Sequence, residues 1–199
     1  MLFRSPEDLL RRESFIGKNF AVLEEIAAFS SQTSGVIGFV DRKNDSHNQD
    51  NNKRTIANAA AIVQNGDVRG IYHKSFLPNY SVFDEARYFS KGTEPNTLFW
   101  YDDIAIGINI CEDIWIEDGP AEEQVKQGAS LIININASPY DIHKSETRKE
   151  IVMKKALKLN VPIIYLNIFL NIESLLHLDL NNSFNFLISN RIQVLGPAW

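Results

Sequence analysis

Apolar residues in the first quarter of the chain follow a helical pattern and then a strand-like one. Residues 5–8 (SPED) resemble a helix start, because the serine can cap it, the proline suits the first turn and two acids lie near the positive end of the helix dipole. Up to about Ser31 the apolar positions recur with a helical period, and Gly17 is a candidate break between two helices. The run 35–40 predicts a short buried strand, and the polar run 41–54 predicts a surface loop.

From residue 58 onward, predicted strands and helices alternate with turn signals. Apolar runs flank the dipeptide Asn65-Gly66 and also Asp102-Asp103, so each of these turns predicts a β-hairpin. The remaining predicted elements are helix 120–128, strand 131–136, helix 145–159, strand 161–167 and a strand-like segment at 184–195. Several strands are apolar on both faces, which predicts an α/β sandwich whose sheet is covered on both sides.

The predicted strand 104–111 alternates between two kinds of side chain. Its isoleucines point one way, whereas its alanine, glycine, asparagine and Cys111 point the other way. The strand 131–136 repeats this alternation and is followed by Ser138. Because ligands bind beyond the carboxyl ends of strands in open α/β sheets, we expect the small polar faces to form a cleft floor that ends at Cys111. The alternative is that Cys111 is a small buried hydrophobic residue, as free cysteines often are.

Composition limits the classes of function that are open to the chain. Its 199 residues, 44% hydrophobic and 23% charged, are typical of one globular domain. The single cysteine and the dispersed histidines exclude a disulfide framework and a local metal-ligand motif. A net charge of −5 gives no reason to expect nucleic acid as a partner. Since the sequence has no bilayer-length apolar run and no signal-peptide core, we expect no membrane partner and a cytoplasmic protein.

Three segments together resemble a known family. They are YHKSFLPNYSVFDEARYF at 72–89, GINICEDIW at 107–115 and NASPYDIHK at 136–144. In this order and spacing they are similar to the nitrilase superfamily, and most closely to the glutamine-hydrolysing domain of glutamine-dependent NAD synthetases, from about residue 6 to residue 167. The resemblance implies a four-layer αββα sandwich that lacks its N-terminal strands. It also implies that residues 1–199 form one partial domain of this type.

The resemblance implies roles for individual residues. Cys111 matches the nucleophile of the family, and Lys74 matches the catalytic lysine, whose ammonium group offsets negative charge on the substrate oxygen. Glu85 is a candidate supporting acid. Four residues match the glutamine pocket of the family, namely Tyr80, Glu112, Ser138 and Lys144. Without the motifs, the lysines and Glu85 would be interpreted as surface charges, and Tyr80 as an aromatic at the core edge.

The chemistry implied by the resemblance is the hydrolysis of glutamine. A cysteine thiolate attacks the side-chain amide, a thioester forms as ammonia leaves, and water releases glutamate. The ammonia would pass to an ATP-dependent NAD synthetase domain or subunit. The sequence contains no phosphate-binding glycine loop, so we expect no nucleotide site in this chain, no metal and no other cofactor. Because the superfamily usually assembles, a homo-oligomer is a further expectation.

Both ends of the chain depart from the family pattern. Residues 1–10 begin inside a stretch that follows the catalytic glutamate in the family, so this general base has no counterpart, and Glu7 and Glu13 match other positions. Residues 168–182 contain no glycine where the family has a pair, and the chain ends at Trp199 before a synthetase domain. Loss of a general base removes about 10²–10⁴-fold in rate, so we expect the isolated chain to be weakly active or inactive.

Other interpretations compete with this one. The chain could be another amidase of the superfamily, although the segment LPNYSVFDE favours the glutaminase type. It could instead be a non-catalytic interaction or oligomerisation module that keeps the cleft without the chemistry. A third alternative is that the true start of the protein lies upstream of Met1.

Overall fold

The computed structural model describes residues 7–43, 55–80, 83–94, 97–138, 144–167 and 192–195. The chain divides into two compact units, Met1–Phe99 and Trp100–Trp199. Each unit combines helices with β-strands, which confirms the α/β class predicted from the sequence. The assignment of residues 1–199 to one domain stays a prediction.

The first unit is built from one long helix and an antiparallel sheet. The helix α1 (Glu13–Ala28) lies between two 3₁₀ helices, Glu7–Arg11 and Phe29–Gln32. The three strands of the sheet follow one another in chain order: β1 (Ser34–Lys43), β2 (Thr55–Gln64) and β3 (Asp67–His73). A 3₁₀ turn at Glu85–Arg87 comes next, followed by β4 (Leu98–Tyr101), in which the boundary between the units falls.

Apolar side chains hold α1 against this sheet. Ile16, Leu23 and Ala27 are buried and lie on one face of the helix. Leu23 and Ala27 share a core cluster with strand residues Phe39, Ala59, Ala61 and Val63. Burial of one large apolar side chain contributes about 1.5–3 kcal/mol, so this face is sufficient to hold the helix in place.

The helix break predicted at Gly17 is wrong. α1 runs through Gly17 without interruption, and the break lies at Arg12, whose backbone is extended. A glycine inside a helix costs about 1 kcal/mol relative to alanine. Burial of Ile16 and Leu23 on either side outweighs that cost, so the helix continues.

The polar loop predicted over 41–54 begins later than expected. β1 extends to Lys43, which pairs with Thr55 of β2. Asp41 is buried in this strand, and its carboxylate lies 2.6 Å from Nε2 of His73 on β3. The loop prediction is therefore wrong for residues 41–43, because tertiary partners outweigh their low strand propensity. Residues 44–54 lie outside the described part of the chain.

Both predicted hairpin turns are confirmed. Asn65 and Gly66 join β2 to β3 with φ values of +54° and +80°, the positive pair that a type I′ turn requires. Asp102, with φ of +49°, lies in the turn between β4 and β5 (Ile104–Ile110), which are neighbours in the second sheet.

The second unit carries parallel strands that are joined by helices. After β5 come α2 (Pro120–Lys126), β6 (Leu131–Asn136), α3 (Lys144–Leu159), β7 (Ile163–Asn167) and β8 (Ile192–Leu195). The sheet order is β4-β5-β6-β7-β8, with β5, β6 and β7 parallel and β8 antiparallel to β7. Of the predicted segment 184–195, only β8 is described. The carboxyl ends of β5, β6 and β7 consequently meet at one edge of this sheet.

Candidate active site

Cys111 lies directly after β5 and begins a 3₁₀ turn, Cys111–Ile114. Its φ is +47°, in the left-handed region, which costs a residue other than glycine about 1–3 kcal/mol. The buried carboxylate of Asp113 accepts a hydrogen bond from the backbone N–H of Ile110 at 3.1 Å and so closes the turn. The thiol is half-buried. A side chain held on a strained strand-to-turn junction is typical of a nucleophile.

The small polar face of β5 and β6 is covered at its middle positions. Asn109 and Asn134 on this face are fully buried. Gln124 of α2 contacts Asn109: its Nε2 donates to the carbonyl oxygen of Ile108 at 2.7 Å, and its Oε1 accepts from Nδ2 of Asn109 at 3.4 Å. The expectation of an open cleft floor is therefore wrong for Asn109 and Asn134, and it stays a prediction for the strand ends at Cys111 and Ser138. The reason is that buried amides need partners, and an amide on the covering helix supplies them.

The buried amides form a chain that runs in one direction. Asn136 donates from Nδ2 to Oδ1 of Asn134 at 2.5 Å, and Asn134 donates in the same way to Asn109 at 2.5 Å. Nδ2 of Asn134 also lies 3.5 Å from the carbonyl oxygen of Cys111. This chain links the two strands to the backbone of the residue that carries the thiol. Connected polar networks of this kind favour one well-defined arrangement.

Ser138 lies beyond the carboxyl end of β6, beside the thiol. Its Oγ is 3.5 Å from Sγ of Cys111. Its backbone N–H donates to Oδ1 of Asn167, the last residue of β7, at 3.0 Å. The structure thus brings together two residues that the sequence assigns to the site, and it does so at the sheet edge where ligands bind in open α/β sheets.

Tyr165 of β7 belongs to the same neighbourhood and was not predicted from the sequence. It is 5% exposed. Burial, followed by the nearby Cys111, raises the pKa of its hydroxyl from an ordinary value of 10.0 to about 12, whereas Arg148 and Ser138 act in the opposite direction. β7 pairs Tyr165 with Asn134, which places the ring on the polar face of the sheet. The alternation of tyrosine and asparagine at positions 165 and 167 was the sequence signal that could have found it.

Lys74 and Glu85 form an ion pair in the first unit. Lys74 is 1% exposed, and its Nζ donates to both carboxylate oxygens of Glu85 at 2.8 Å. The backbone of Lys74 is held on both sides, because its N–H donates to the carbonyl oxygen of Asn58 at 2.8 Å and its own carbonyl accepts from Gly92 at 2.7 Å. The interpretation of these residues as solvated surface charges is wrong.

The other predicted pocket residues are less closely defined. Tyr80 is exposed, and its ring lies edge-on to Phe83 with centroids 5.8 Å apart. Glu112 is half-buried, and its carbonyl accepts a hydrogen bond from the backbone of Trp115 at 3.0 Å. Lys144 begins α3, and its side chain lies outside the described part of the structure.

The described residues contain neither a metal-binding cluster nor a membrane-spanning helix. Within that part of the chain, no group of three or more histidine, cysteine, aspartate or glutamate side chains is arranged to hold a metal ion. No helix in the same ranges combines the length and apolar character needed to cross a membrane.

Comparison with protein families matches residues 18–182 to the carbon–nitrogen hydrolase family. The chain belongs to this family. It is similar to the glutamine-dependent NAD(+) synthetase of Thermotoga maritima, with 38% identity over 165 residues that cover 81% of this chain and 27% of that protein. It is also similar to the synthetase of the same name from Acinetobacter baylyi, with 36% identity over 164 residues that cover 81% of this chain and 28% of that protein.

Solved structures agree with this assignment. The glutamine-dependent NAD+ synthetase from Acinetobacter baumannii, in complex with adenosine diphosphate, matches with a TM-score of 0.70 and 34% identity, over 83% of this chain and 30% of that one. A mutant of the Nesterenkonia AN1 amidase, from the nitrilase superfamily, matches in fold with a TM-score of 0.64 and 16% identity, over 81% of this chain and 57% of that one. The nitrilase-type fold and the hydrolase class predicted from the sequence are therefore confirmed. The chain spans less than a third of the length of these synthetases.

Proposed function

We propose that this chain hydrolyses the side-chain amide of glutamine to glutamate and ammonia through a thioester on Cys111. The observation that carries the proposal is the Cys111 turn, where a backbone φ of +47° presents the thiol 3.5 Å from the Ser138 hydroxyl. Membership of the carbon–nitrogen hydrolase family supports the reaction type. The names of the similar synthetases support glutamine as the amide.

The proposed reaction has two steps. In the first, Sγ of Cys111 bonds to the amide carbon, the carbon–nitrogen bond breaks, and ammonia leaves after taking up a proton. In the second, water attacks the thioester carbon, glutamate leaves, and the thiol regains its proton. Splitting one difficult hydrolysis into two easier steps is the advantage of a covalent intermediate.

Lys74 is proposed to stabilise the negative oxygen of each tetrahedral intermediate. Its ammonium group is buried and held by both oxygens of Glu85 at 2.8 Å, so its position is fixed before substrate binds. A fixed charge needs little reorganisation during the reaction and is worth about 10²–10³-fold in rate. Glu85 would then be a positioning residue for the lysine.

Glutamine specificity is proposed to come from four residues, Tyr80, Glu112, Ser138 and Lys144. The proposed recipient of the ammonia is an ATP-dependent NAD synthetase domain or subunit, since the similar proteins carry that name. We expect slow turnover by the chain alone. The carboxylate of Glu85 is engaged with Lys74 and is therefore a poor acceptor for the thiol proton.

The test is glutamine turnover by the purified full chain. Glutamate and ammonia are measured together, with and without hydroxylamine, which converts a γ-glutamyl thioester into the hydroxamate. We expect slow, equimolar release of both products, formation of the hydroxamate, and loss of all three signals in Cys111→Ala. Because the chain has a single cysteine, mass spectrometry of the intact protein assigns the acyl adduct without ambiguity.

Other outcomes would identify the competing functions. Turnover of a different primary amide at a higher kcat/KM than glutamine would contradict the substrate and indicate another amidase. Absence of any adduct, with Cys111 reacting with alkylating agents like an ordinary thiol, would contradict the enzymatic function and favour a binding module.

A further inference from the structure

The hydroxyl of Tyr165 is buried, and its interaction with Ser138, which lowers its pKa, falls short of standard hydrogen-bond geometry. Within the described residues it has no partner of standard geometry, although the side chain is only 5% exposed. Tyr72 in the first unit shows the usual arrangement, because it is 1% exposed and its hydroxyl lies 3.2 Å from Oγ of Ser75. A buried hydroxyl without a partner destabilises the folded chain, and native structures contain few such groups. The hydroxyl of Tyr165, which has no well-formed partner among the described residues, therefore needs an explanation.

The position of Tyr165 suggests that explanation. Tyr165 pairs with Asn134 in the β6–β7 ladder, which places it two residues before the ends of both strands, at the edge that carries Ser138. Ser138 in turn lies 3.5 Å from Sγ of Cys111. The other buried polar atom without a partner in the described part of the chain is Oδ1 of Asn136, at the end of the neighbouring strand. Unsatisfied polar atoms thus concentrate where a ligand of Cys111 would lie.

We propose that Tyr165 binds the substrate, by donating a hydrogen bond from its hydroxyl to the oxygen of the amide group held at Cys111. This role rests on the proposed hydrolysis of an amide at that thiol. The bound amide supplies an acceptor of standard geometry, which the described residues of the free protein do not provide. A donor aimed at this oxygen also stabilises the negative charge that develops there during attack.

The ionisation of the phenol is consistent with this role. Burial and the neighbouring Cys111 raise the pKa of Tyr165 to about 12. The hydroxyl therefore keeps its proton, and remains a donor, throughout the pH range in which the thiol is expected to work.

The experiment compares Tyr165→Phe with the wild-type chain, using acrylamide as the probe. Acrylamide is a primary amide that adds a thiolate at its terminal alkene carbon. Electron density moves to the amide oxygen, and a proton then restores the saturated amide. A hydrogen bond to that oxygen accelerates the addition. Methyl methanethiolsulfonate, which contains no amide, measures the reactivity of Cys111 itself.

We expect Tyr165→Phe to lower the acrylamide rate about tenfold, the equivalent of one hydrogen bond, while the methanethiolsulfonate rate stays within about twofold. Its Tm should equal or exceed that of the wild type, because the variant removes a buried hydroxyl that has no well-formed partner among the described residues. Tyr72→Phe, which breaks a pair, should lower Tm. Tyr101→Phe, at an exposed tyrosine, should change neither rate.

The results separate this inference from the proposed function. An unchanged ratio of the two rates would overturn the role of Tyr165, and so would a Tm lowered as far as in Tyr72→Phe. Glutamine turnover by the wild-type chain is measured in parallel. If glutamine is not hydrolysed but the rate ratio falls with Tm preserved, then the glutaminase proposal fails while amide binding by Tyr165 stands.

Discussion

Two buried lysine–glutamate pairs, one in each unit, are similar in their contacts and burial. Lys74 is 1% exposed, and its Nζ lies 2.8 Å from a carboxylate oxygen of Glu85. Lys155 of α3 is 7% exposed, and its Nζ lies 2.6 Å from a carboxylate oxygen of Glu122 on α2. The sequence motifs single out only the first pair, so burial and distance do not distinguish the two.

The hydrogen bonds that each pair makes to other groups do distinguish the two pairs. Lys155 also donates to the carbonyl oxygen of Ile116 at 2.7 Å, and Glu122 accepts from the backbone N–H of Gly119 at 3.2 Å. This second pair therefore fixes the backbone that leads from the Cys111 turn into α2. Within the described residues, Nζ of Lys74 bonds only to the two oxygens of Glu85. The backbone contacts indicate a structural role for the Lys155–Glu122 pair, and the proposed role of Lys74 in binding a ligand is what distinguishes the first pair.

Lys155→Met should have the largest effect and would show that the second pair is structural. It leaves the buried carboxylate of Glu122 and the carbonyl of Ile116 without their cation, so the unfolding free energy should fall by about 3–5 kcal/mol in urea denaturation. Lys158→Met is the matched control. Its Nζ lies 3.8 Å from the same carboxylate but the side chain is 54% exposed, so the loss should stay below about 1 kcal/mol. Equal losses in the two variants would contradict the structural role of Lys155.

Lys74→Met should change activity more than stability. Removal of the cation is expected to lower kcat for glutamine by about 10²–10³-fold. Glu85 is closer to solvent and keeps a contact of 3.4 Å with Nδ2 of Asn58, so the unfolding free energy should fall by only about 1–3 kcal/mol. Kinetics and urea denaturation of the same preparation measure both quantities. A stability loss as large as that of Lys155→Met, with kcat unchanged, would mean that the two pairs have the same role.

A comparison of how the two ion pairs contribute to stability at alkaline pH must account for the ionisation of Tyr165. Its pKa is raised to about 12 in the folded chain, whereas the unfolded chain ionises near the ordinary value of 10.0. At a pH between these two pKa values, the Tyr165 hydroxyl is ionised in the unfolded chain and still protonated in the folded chain. Stability should therefore fall as pH rises through this window, by about 2–3 kcal/mol. The unfolding free energy of Tyr165→Phe, measured against pH and subtracted from that of the wild type, isolates this contribution. Parallel curves for the two proteins would show that the pKa of Tyr165 is not raised.

Lys126→Met should have the smallest effect and provides the exposed reference. Lys126 and Glu123 are 2.7 Å apart on α2, as close as the buried pairs, but the lysine is 63% exposed. The carboxylate of Glu123 raises the pKa of Lys126, but it does not shield the pair from water. We expect no measurable change in urea midpoint or in kcat. A clear change in either would mean that distance, rather than burial, governs all three pairs.

Local patterns in the sequence were sufficient for much of the fold. The Asn65-Gly66 turn and the strand that ends at Cys111 depend on conformational preferences and on side-chain alternation, which neighbouring residues determine. The helix break predicted at Gly17 is wrong because the apolar face that keeps α1 intact is buried by a sheet that follows later in the chain. Residues 41–43 were misjudged for the same reason, since His73 supplies the partner of Asp41.

The site was predictable only where the motifs extend. Four of the predicted site residues lie within the motif segments. The structure places Cys111 beside Ser138 and pairs Lys74 with Glu85. Gln124 and Tyr165 lie outside those segments. Gln124 matters because it covers the polar face, which no local pattern reveals. The alternation at positions 165 and 167 indicates which face carries Tyr165, but it does not show which strand lies beside that residue.

At Cys111, the left-handed backbone opposes the stability of the fold to the reactivity of the thiol. Glycine adopts this conformation without strain, so Cys111→Gly should fold more stably than the wild type while losing the nucleophile. Any screen that rewards only heat resistance or soluble yield would then select against the reaction, beginning with this residue. Laboratory evolution of the chain therefore needs a chemical readout at the thiol in every round.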